Sequence, residues 1–498
     1  MPAVSEVRGQ RVSRATSTVL RAEPFADSSQ IVTNSGLSYV VNRPTKYGSN
    51  PVYAGGNTSY DRHLVYCGGT YVNNRVEMWA GVWDDNWGLA STSIGTTYAY
   101  ASDGVTFTKP NLGLVSYGGN TNNNILAGTG PLNVSPNAAV GAQNMLYEPS
   151  NTDYPYLIPV THNTTSSASI TRRIYGCQYP GGPMTLVNNM GTWAATVSNT
   201  SAGSNNVRDI MGLVRRPDNK WLAAYQEYTN TERRSVGFLL SDQTTLNTST
   251  TWTNYGVPTG LLATQPYDQY YYAHPFRYGD TIMLAVLNFS GGSSGSLSDY
   301  YYVYDYGTFS GTNDRQWKFE LWTSRATDGV SSWTKLDEDW LWAGSGINDN
   351  TPGEWDAGAI KPGAWLRYGN EHRYYYCGSS EVHHPLNGRD NFVDQHRIGY
   401  ATLGYRRLTG MSGTGSVTLS TVSAPTGGKL RVTGSNITNV ALLDSASGAL
   451  AAYATADTIP SSATDHVVTW NGSPGVPASF RAKVTVASGE VNFVEVVS

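Results

Sequence analysis

Hydrophobic runs of strand length recur along this chain between turn signals, and helical periodicity is nearly absent. Clear examples are His63-Leu64-Val65-Tyr66-Cys67, Tyr154-Pro155-Tyr156-Leu157-Ile158, Lys220-Trp221-Leu222-Ala223-Ala224-Tyr225, Thr281-Ile282-Met283-Leu284-Ala285-Val286 and His372-Arg373-Tyr374-Tyr375-Tyr376. Most follow a turn signal: Asp153, Pro217-Asp218-Asn219, Gly279-Asp280 or Gly369-Asn370. A second pattern repeats on top of these runs. Tyr100-Ala101-Ser102-Asp103-Gly104-Val105-Thr106-Phe107 returns as Ser324-Arg325-Ala326-Thr327-Asp328-Gly329-Val330-Ser331-Ser332-Trp333, a strand, an Asp-Gly turn and an aromatic that folds back onto the strand. Weaker relatives end at Cys177, Ser241 and Thr402. With Ser102 and Ser324 they form five units of about 75 residues, the size of propeller blades with long loops.

The pattern predicts an all-β chain: a five-bladed β-propeller over residues 25–410, then a small β-sandwich over 411–498. The boundary falls at Thr409-Gly410-Met411-Ser412-Gly413-Thr414-Gly415, beyond which aromatics thin out and short alternating strands such as Lys429-Leu430-Arg431-Val432 take over. Residues 1–24 read as a leader or anchoring arm. They carry Arg8, Arg11, Arg14 and Arg21 without the apolar stretch of a secretory signal. The loops at 119–130, 199–206 and 290–299 read as polar surface excursions.

Composition narrows the partners. Charged residues make up 14% of the chain, the net charge is −4 and no basic stripe is visible, which excludes a nucleic-acid footprint. No apolar run approaches the ~18–20 residues needed to cross a bilayer, so membrane insertion is not expected. The 34 Tyr and 14 Trp suit β-strands in any case, and at a cleft their faces would stack on sugar rings. Three cysteines, Cys67, Cys177 and Cys377, do not make a disulfide framework and read as buried thiols. Cys67 and Cys377 hold similar repeat positions, which leaves one bridge open. No cofactor is called for. A structural Ca²⁺ could be held by loop Asp and carbonyl oxygens, but the sequence does not locate it.

The stretch Tyr100–Leu114, continuing to Tyr117-Gly118-Gly119 and Asn123-Asn124-Ile125, resembles five-bladed propeller proteins related to the invertase/fructanase and arabinanase/xylosidase glycoside hydrolases. The likeness extends to Ser324–Trp333, Gly353-Glu354-Trp355-Asp356-Ala357-Gly358 and Arg397–Leu403. In the tail it takes in Gly428–Val432 and Val468-Thr469-Trp470-Asn471-Gly472. The resemblance implies a glycan partner and, for cleavage, two carboxyl groups flanking the glycosidic bond. Carboxylates just ahead of the middle strands are the candidates, with Glu148, Asp209 and Asp356 as the catalytic set. Arg208-Asp209 looks like the Arg-Asp pair of the invertase-like families. Expected substrate contacts are Arg43, Asn50, Arg208, Asp268, Tyr270, His274, Glu354 and Trp355. Tyr271, Tyr272 and Trp193 are further stacking candidates; alternation along a strand buries every second member of a Tyr run, so one of Tyr270–Tyr272 is expected to reach the funnel. The adjacent His383 and His384 would also diverge, so no metal site is assigned to them. Residues 41–51 contain no carboxylate where these enzymes begin their first blade with an Asp.

Two readings therefore stay open. One is hydrolysis of an extracellular or cell-surface polysaccharide. The other is a non-catalytic glycan-binding or structural protein, for example a bacteriophage virion component touching host surface sugars. A repeat scaffold for protein partners fits less well, because the Trp-Asp repeats of that class are absent. Assembly, if any, would use the N-terminal arm or the C-terminal sandwich.

Overall fold

The computed structural model describes residues 19–56, 60–83, 94–117, 119–127, 145–163, 169–194, 210–230, 233–262, 270–289, 317–325, 329–342, 354–356, 359–380, 396–425 and 427–498. The chain divides into two compact units. One comprises Arg43–Tyr71 and Arg75–Gly404; the other comprises Met1–Asn42, Val72–Asn74 and Tyr405–Ser498.

The first unit is a five-bladed β-propeller. Strands β1 (Val19–Glu23) and β2 (Ile31–Val41) precede it, and β3 (Thr45–Lys46) opens it. Blade 1 is β4 (His63–Val72), β5 (Arg75–Trp83), β6 (Ile94–Ala101) and β7 (Ile125–Ala127); blade 2 is β8 (Leu146–Tyr147), β9 (Tyr156–Asn163), β10 (Ser169–Cys177) and β11 (Thr185–Ala194). Blade 3 is β12 (Ile210–Arg215), β13 (Trp221–Asn230), β14 (Arg233–Ser241) and β15 (Trp252–Gly256); blade 4 is β16 (Tyr270–Tyr278), β17 (Thr281–Phe289), β18 (Trp317–Ser324) and β19 (Thr334–Trp342). Blade 5 is β20 (Ala359–Tyr368), β21 (Glu371–Ser379) and β22 (Arg397–Gly404), and its fourth strand is β3 from the other end of the chain. Lys46 and Thr45 pair with Ala401 and Thr402, which closes the ring.

The five repeat positions read from the sequence mark the ends of the third strands. Ser102 follows β6, Cys177, Ser241 and Ser324 end β10, β14 and β18, and Thr402 lies in β22. The Asp-Gly motif folds back on its own strand, Tyr100 and Thr108 exchanging backbone hydrogen bonds at 3.1 and 2.8 Å, and it also docks on the preceding blade. Gly104 takes φ +68°, and its carbonyl accepts hydrogen bonds from Tyr375 Oη at 2.7 Å and Arg373 Nη1 at 3.2 Å, both on blade 5. Phe107 then stacks on Tyr53 and meets the edge of Tyr375. In the second copy Gly329, φ +72°, sits against Leu222 and Arg216, while Trp333 stacks on Phe238 of blade 3 at 5.3 Å and 7°. The motif is thus a clasp between neighbouring blades. An aromatic is needed there because a wedge-shaped gap between twisted sheets takes a large flat side chain.

Between blades 5 and 1 the core holds Leu64, Cys67, Met78, Ala364, Tyr375 and Tyr400, all buried. Between blades 4 and 5, Tyr374 meets His274, Phe319 and Trp340.

The second unit joins β1 and β2 to β23 (Thr409–Leu419), β24 (Val422–Ser423), β25 (Lys429–Leu443), β26 (Ser462–Val467) and β27 (Ser479–Val497). All seven strands belong to one hydrogen-bonded sheet, ordered β2-β23-β27-β25-β26, with β1 and β24 also pairing to β27. Residues 31–41, placed in the propeller by the sequence pattern, pair with β23 here, from Ile31 opposite Leu419 to Val41 opposite Thr409. The long strands β25 and β27 change register near Gly434 and Ile437, where Asn436 and Ser488 adopt positive φ. The buried side chains include Leu430, Val432, Val440, Val484, Val494 and Trp470.

Candidate functional site

The first strands of blades 1, 4 and 5 begin at one common end, where they meet across the propeller axis, and that of blade 3 begins beside them. Three contacts establish it. The Tyr66 hydroxyl of β4 hydrogen-bonds that of Tyr272 in β16, Lys361 Nζ of β20 lies 5.3 Å over the Tyr66 ring, and Gln226 Nε2 of β13 donates to the Tyr271 carbonyl at 2.8 Å. Each of Tyr66, Tyr272 and Lys361 lies within four residues of the start of its strand, and Gln226 lies beside the start of β12, since Ile210 pairs with Tyr225. His63 and His396 join this group, their Nδ1 atoms 3.4 Å apart and both rings buried. Burial pushes the Lys361 ammonium down to about 7, and burial together with the Lys361 and His63 charges holds His396 well below the usual imidazole range.

Ahead of β20, residues 354–356 form the constellation that the resemblance singled out. Trp355 lies flat on blade 5, where β21 and β22 each present a glycine. A Cβ at Gly378 would stand 2.7 Å from its ring, and one at Gly399 2.5 Å. Those glycines and the Tyr376 ring, 5.5 Å from Trp355, share the face turned to blade 4. Asp356 is fully buried beside them. Its Oδ2 accepts from Lys46 Nζ at 2.7 Å and from Tyr376 Oη at 2.8 Å, while its Oδ1 has no hydrogen-bond partner. Burial, and then the Asp356 and Glu354 charges, hold the Tyr376 phenol well above its ordinary range. Asn50 completes the group. Its side chain brackets Tyr400, donating to that residue's carbonyl at 2.8 Å and accepting from its amide at 3.0 Å. Glu354 is exposed.

Asn50, Glu354, Trp355 and Asp356 are therefore brought together. Other expected residues are placed elsewhere. Glu148 accepts Arg215 Nε at 2.7 Å and the Ser150 hydroxyl. Arg215 ends β12, and Glu148 follows β8, so Glu148 stands at the opposite end of the propeller from Asp356. Arg43 forms a two-pronged ion pair with Asp337 of β19, the fourth strand of blade 4, at 2.8 Å on both prongs. His274 is buried between blades, stacked on Tyr374 and flanked by Phe276, and desolvation lowers it to about 3, which keeps it neutral. Tyr270, Tyr271 and Tyr272 are all buried; Tyr270 packs against Trp322 and Tyr271 against Trp317. Asp209, Arg208, Asp268, His383, His384 and the Trp193 side chain lie outside the described residues.

One carboxylate went unnoticed in the sequence. Asp61 stands directly ahead of β4, the first strand of blade 1, and is buried. Its Oδ2 accepts Lys109 Nζ at 2.6 Å and its Oδ1 accepts the Gly56 amide at 3.0 Å. Asp61 lies beyond the carboxylate-free stretch 41–51, ahead of the first strand of blade 1. The signal that would have found it is Asn73-Asn74, a two-residue hairpin with both φ positive (53° and 59°), which makes His63–Val72 the first strand and Arg75–Trp83 the second.

Chemically, this end of the propeller offers a carboxylate ahead of β4 and another ahead of β20, each held by one lysine, with an indole face and an exposed glutamate beside the second. Among the described residues no group of three or more His, Cys, Asp or Glu could hold a metal ion.

No family profile matches the sequence, and no curated protein matches it. Solved structures that resemble the chain include glycoside hydrolases. One is from the GH130 family of mannoside phosphorylases and targets β-1,2 mannosidic linkages in Candida mannan (12% identity, 76% of this chain and 97% of that one, TM-score 0.42). Another is the catalytic domain of the GH62 α-L-arabinofuranosidase of Coprinopsis cinerea (13% identity, 73% and 97%, TM-score 0.41). A third is the exo-β-1,3-galactanase of Phanerochaete chrysosporium (11% identity, 92% and 100%, TM-score 0.36).

Proposed function

We propose that this propeller binds a polysaccharide at the end where its innermost strands begin. The observation that carries the reading is the convergence of Asn50 with Glu354, Trp355 and Asp356, residues chosen from the sequence for sugar chemistry and some 300 positions apart in the chain. The Asp356–Lys46–Tyr376 hydrogen bonds fix the segment, so that Glu354 is held in one place as an exposed acceptor for sugar hydroxyls. We place the protein outside the cell, on secreted material or on a particle surface such as a bacteriophage virion. A chain with 14% charged residues and abundant Ser, Thr, Asn, Gly and Tyr supports that setting.

A second reading, hydrolysis, takes its motive from the carboxylates ahead of β4 and β20, although Asp61 and Asp356 are both buried against a lysine. Cleavage would require Asp61 and Asp356, or either with a partner, to flank one glycosidic bond, at ~5–5.5 Å for retention or ~6.5–9.5 Å for inversion. Glu148 has no part in it.

The test is a panel of bacterial and algal polysaccharides, measured for binding and for reducing-sugar release, with Glu354→Ala, Asp61→Asn and Asp356→Asn beside the wild type. Binding to one polymer, weakened about tenfold by Glu354→Ala, is expected. Sugar release lost in both Asp variants, with folding retained, would add hydrolysis. Binding to no glycan, or binding indifferent to Glu354, would overturn the reading.

A further inference from the structure

The seam between blade 5 and blade 1 contains two thiols with no assigned role. Cys67 of β4 and Cys377 of β21 are wholly buried free thiols that belong to one core cluster in that seam. A separate observation locates the Cys67 sulfur on the blade 5 side. A Cβ built at Gly363 of β20 would lie 2.3 Å from Cys67 Sγ, so the thiol presses against that strand's backbone. The same part of β20 breaks register with β21 between Lys361 and Ala364, and Lys361 is the cross-strand partner of Cys377. Cys177, by contrast, lies in blade 2.

We propose that Cys67 and Cys377 are a modification site: a disulfide-forming pair that covalently joins the first blade to the last. The oxidant is a small-molecule disulfide such as oxidised glutathione. One cysteine, as its thiolate, attacks the oxidant, breaking its S–S bond and releasing one glutathione thiolate. The second cysteine then displaces the remaining glutathione, forming the protein S–S bond. Two thiol protons leave, two electrons pass to the oxidant, and two glutathione molecules are produced. Because both thiols are buried and desolvation raises the Cys377 thiol, the reaction proceeds while the seam is open, during folding or breathing. The bond would enclose about 310 residues of chain, the regime in which a crosslink most restricts the unfolded state.

The full chain is refolded or incubated in oxidised glutathione, alkylated, and digested without reduction. The expected result is a Cys67–Cys377 linked peptide, loss of two of the three titratable thiols, and alkylation of Cys177. The unfolding midpoint should rise on the order of 10 °C and fall back with dithiothreitol. Cys67→Ser and Cys377→Ser should each abolish the rise. Three free thiols after denaturation, glutathione capping in place of the linked peptide, or a bond through Cys177 or between chains would overturn the proposal. Should a serine variant not fold, the linked peptide from the wild type still decides.

Discussion

Gly363 and Lys361 stand two positions apart on β20, yet sequence reading gave neither a role. At Gly363 there is no space for a methyl group: its Cβ would lie 2.1 Å from the Tyr375 carbonyl as well as against Cys67. Gly363→Ala should cost at least about 3 kcal/mol of stability, read as a lowered urea midpoint. Lys361 predicts a pH dependence. An unfolded lysine titrates near 10.4, whereas burial brings the folded one to about 7. Over that interval the unfolded chain binds the proton more readily, so stability is full above pH ~10 and declines towards pH 7, by roughly 1.4 kcal/mol per pH unit from this group. Lys361→Met should remove that slope and leave the protein more stable near neutrality, as thermal melts from pH 7 to 10 would reveal.

At the scale of elements, the Asp-Gly clasp explains why two copies of one motif were visible without any alignment: both meet the same demand, a turn at positive φ followed by an aromatic wedged into the neighbouring blade. Trp333→Ala should therefore cost about 3–5 kcal/mol although it touches no candidate site residue, and glycan binding by the folded fraction should be unchanged. What the strands did not disclose was their rank within a blade. First and second strands are both buried on two faces and read alike: His63–Cys67, in a first strand, is the same kind of run as Lys220–Tyr225 or Thr281–Val286 in second strands. That ambiguity misplaced Glu148. In an antiparallel blade a residue ahead of the second strand sits at the opposite end from one ahead of the first, and β8, at two residues, is too short to advertise itself. Asp356 precedes a first strand and so stands at the end where the first strands begin. Its lysine partner was illegible because Lys46 lies 310 positions away.

Across the whole molecule, early and late segments of the chain pair three times: Thr45–Lys46 with Ala401–Thr402 in the propeller, and Ile31–Val41 with Thr409–Leu419 and Val19–Glu23 with Val494–Val497 in the other unit. Deleting residues 1–47 removes β3 from blade 5, β1 and β2 from the seven-stranded sheet, and the lysine from Asp356. The expected product is aggregated, its exposed β22 and β23 edges pairing between chains; a monodisperse monomer on size-exclusion chromatography would contradict this.

The closing strand also sets a schedule for synthesis. Thr45 leaves the ribosome 357 residues before Thr402, whose hydroxyl donates to its carbonyl. At ~5–20 residues per second the nascent β3 waits about 20–70 s for its place in blade 5. Through that interval the early blades emerge in order while the ring they belong to stays open, and anything that occupies the waiting segment, whether a chaperone or a neighbouring nascent chain, competes with the strand that has yet to be made.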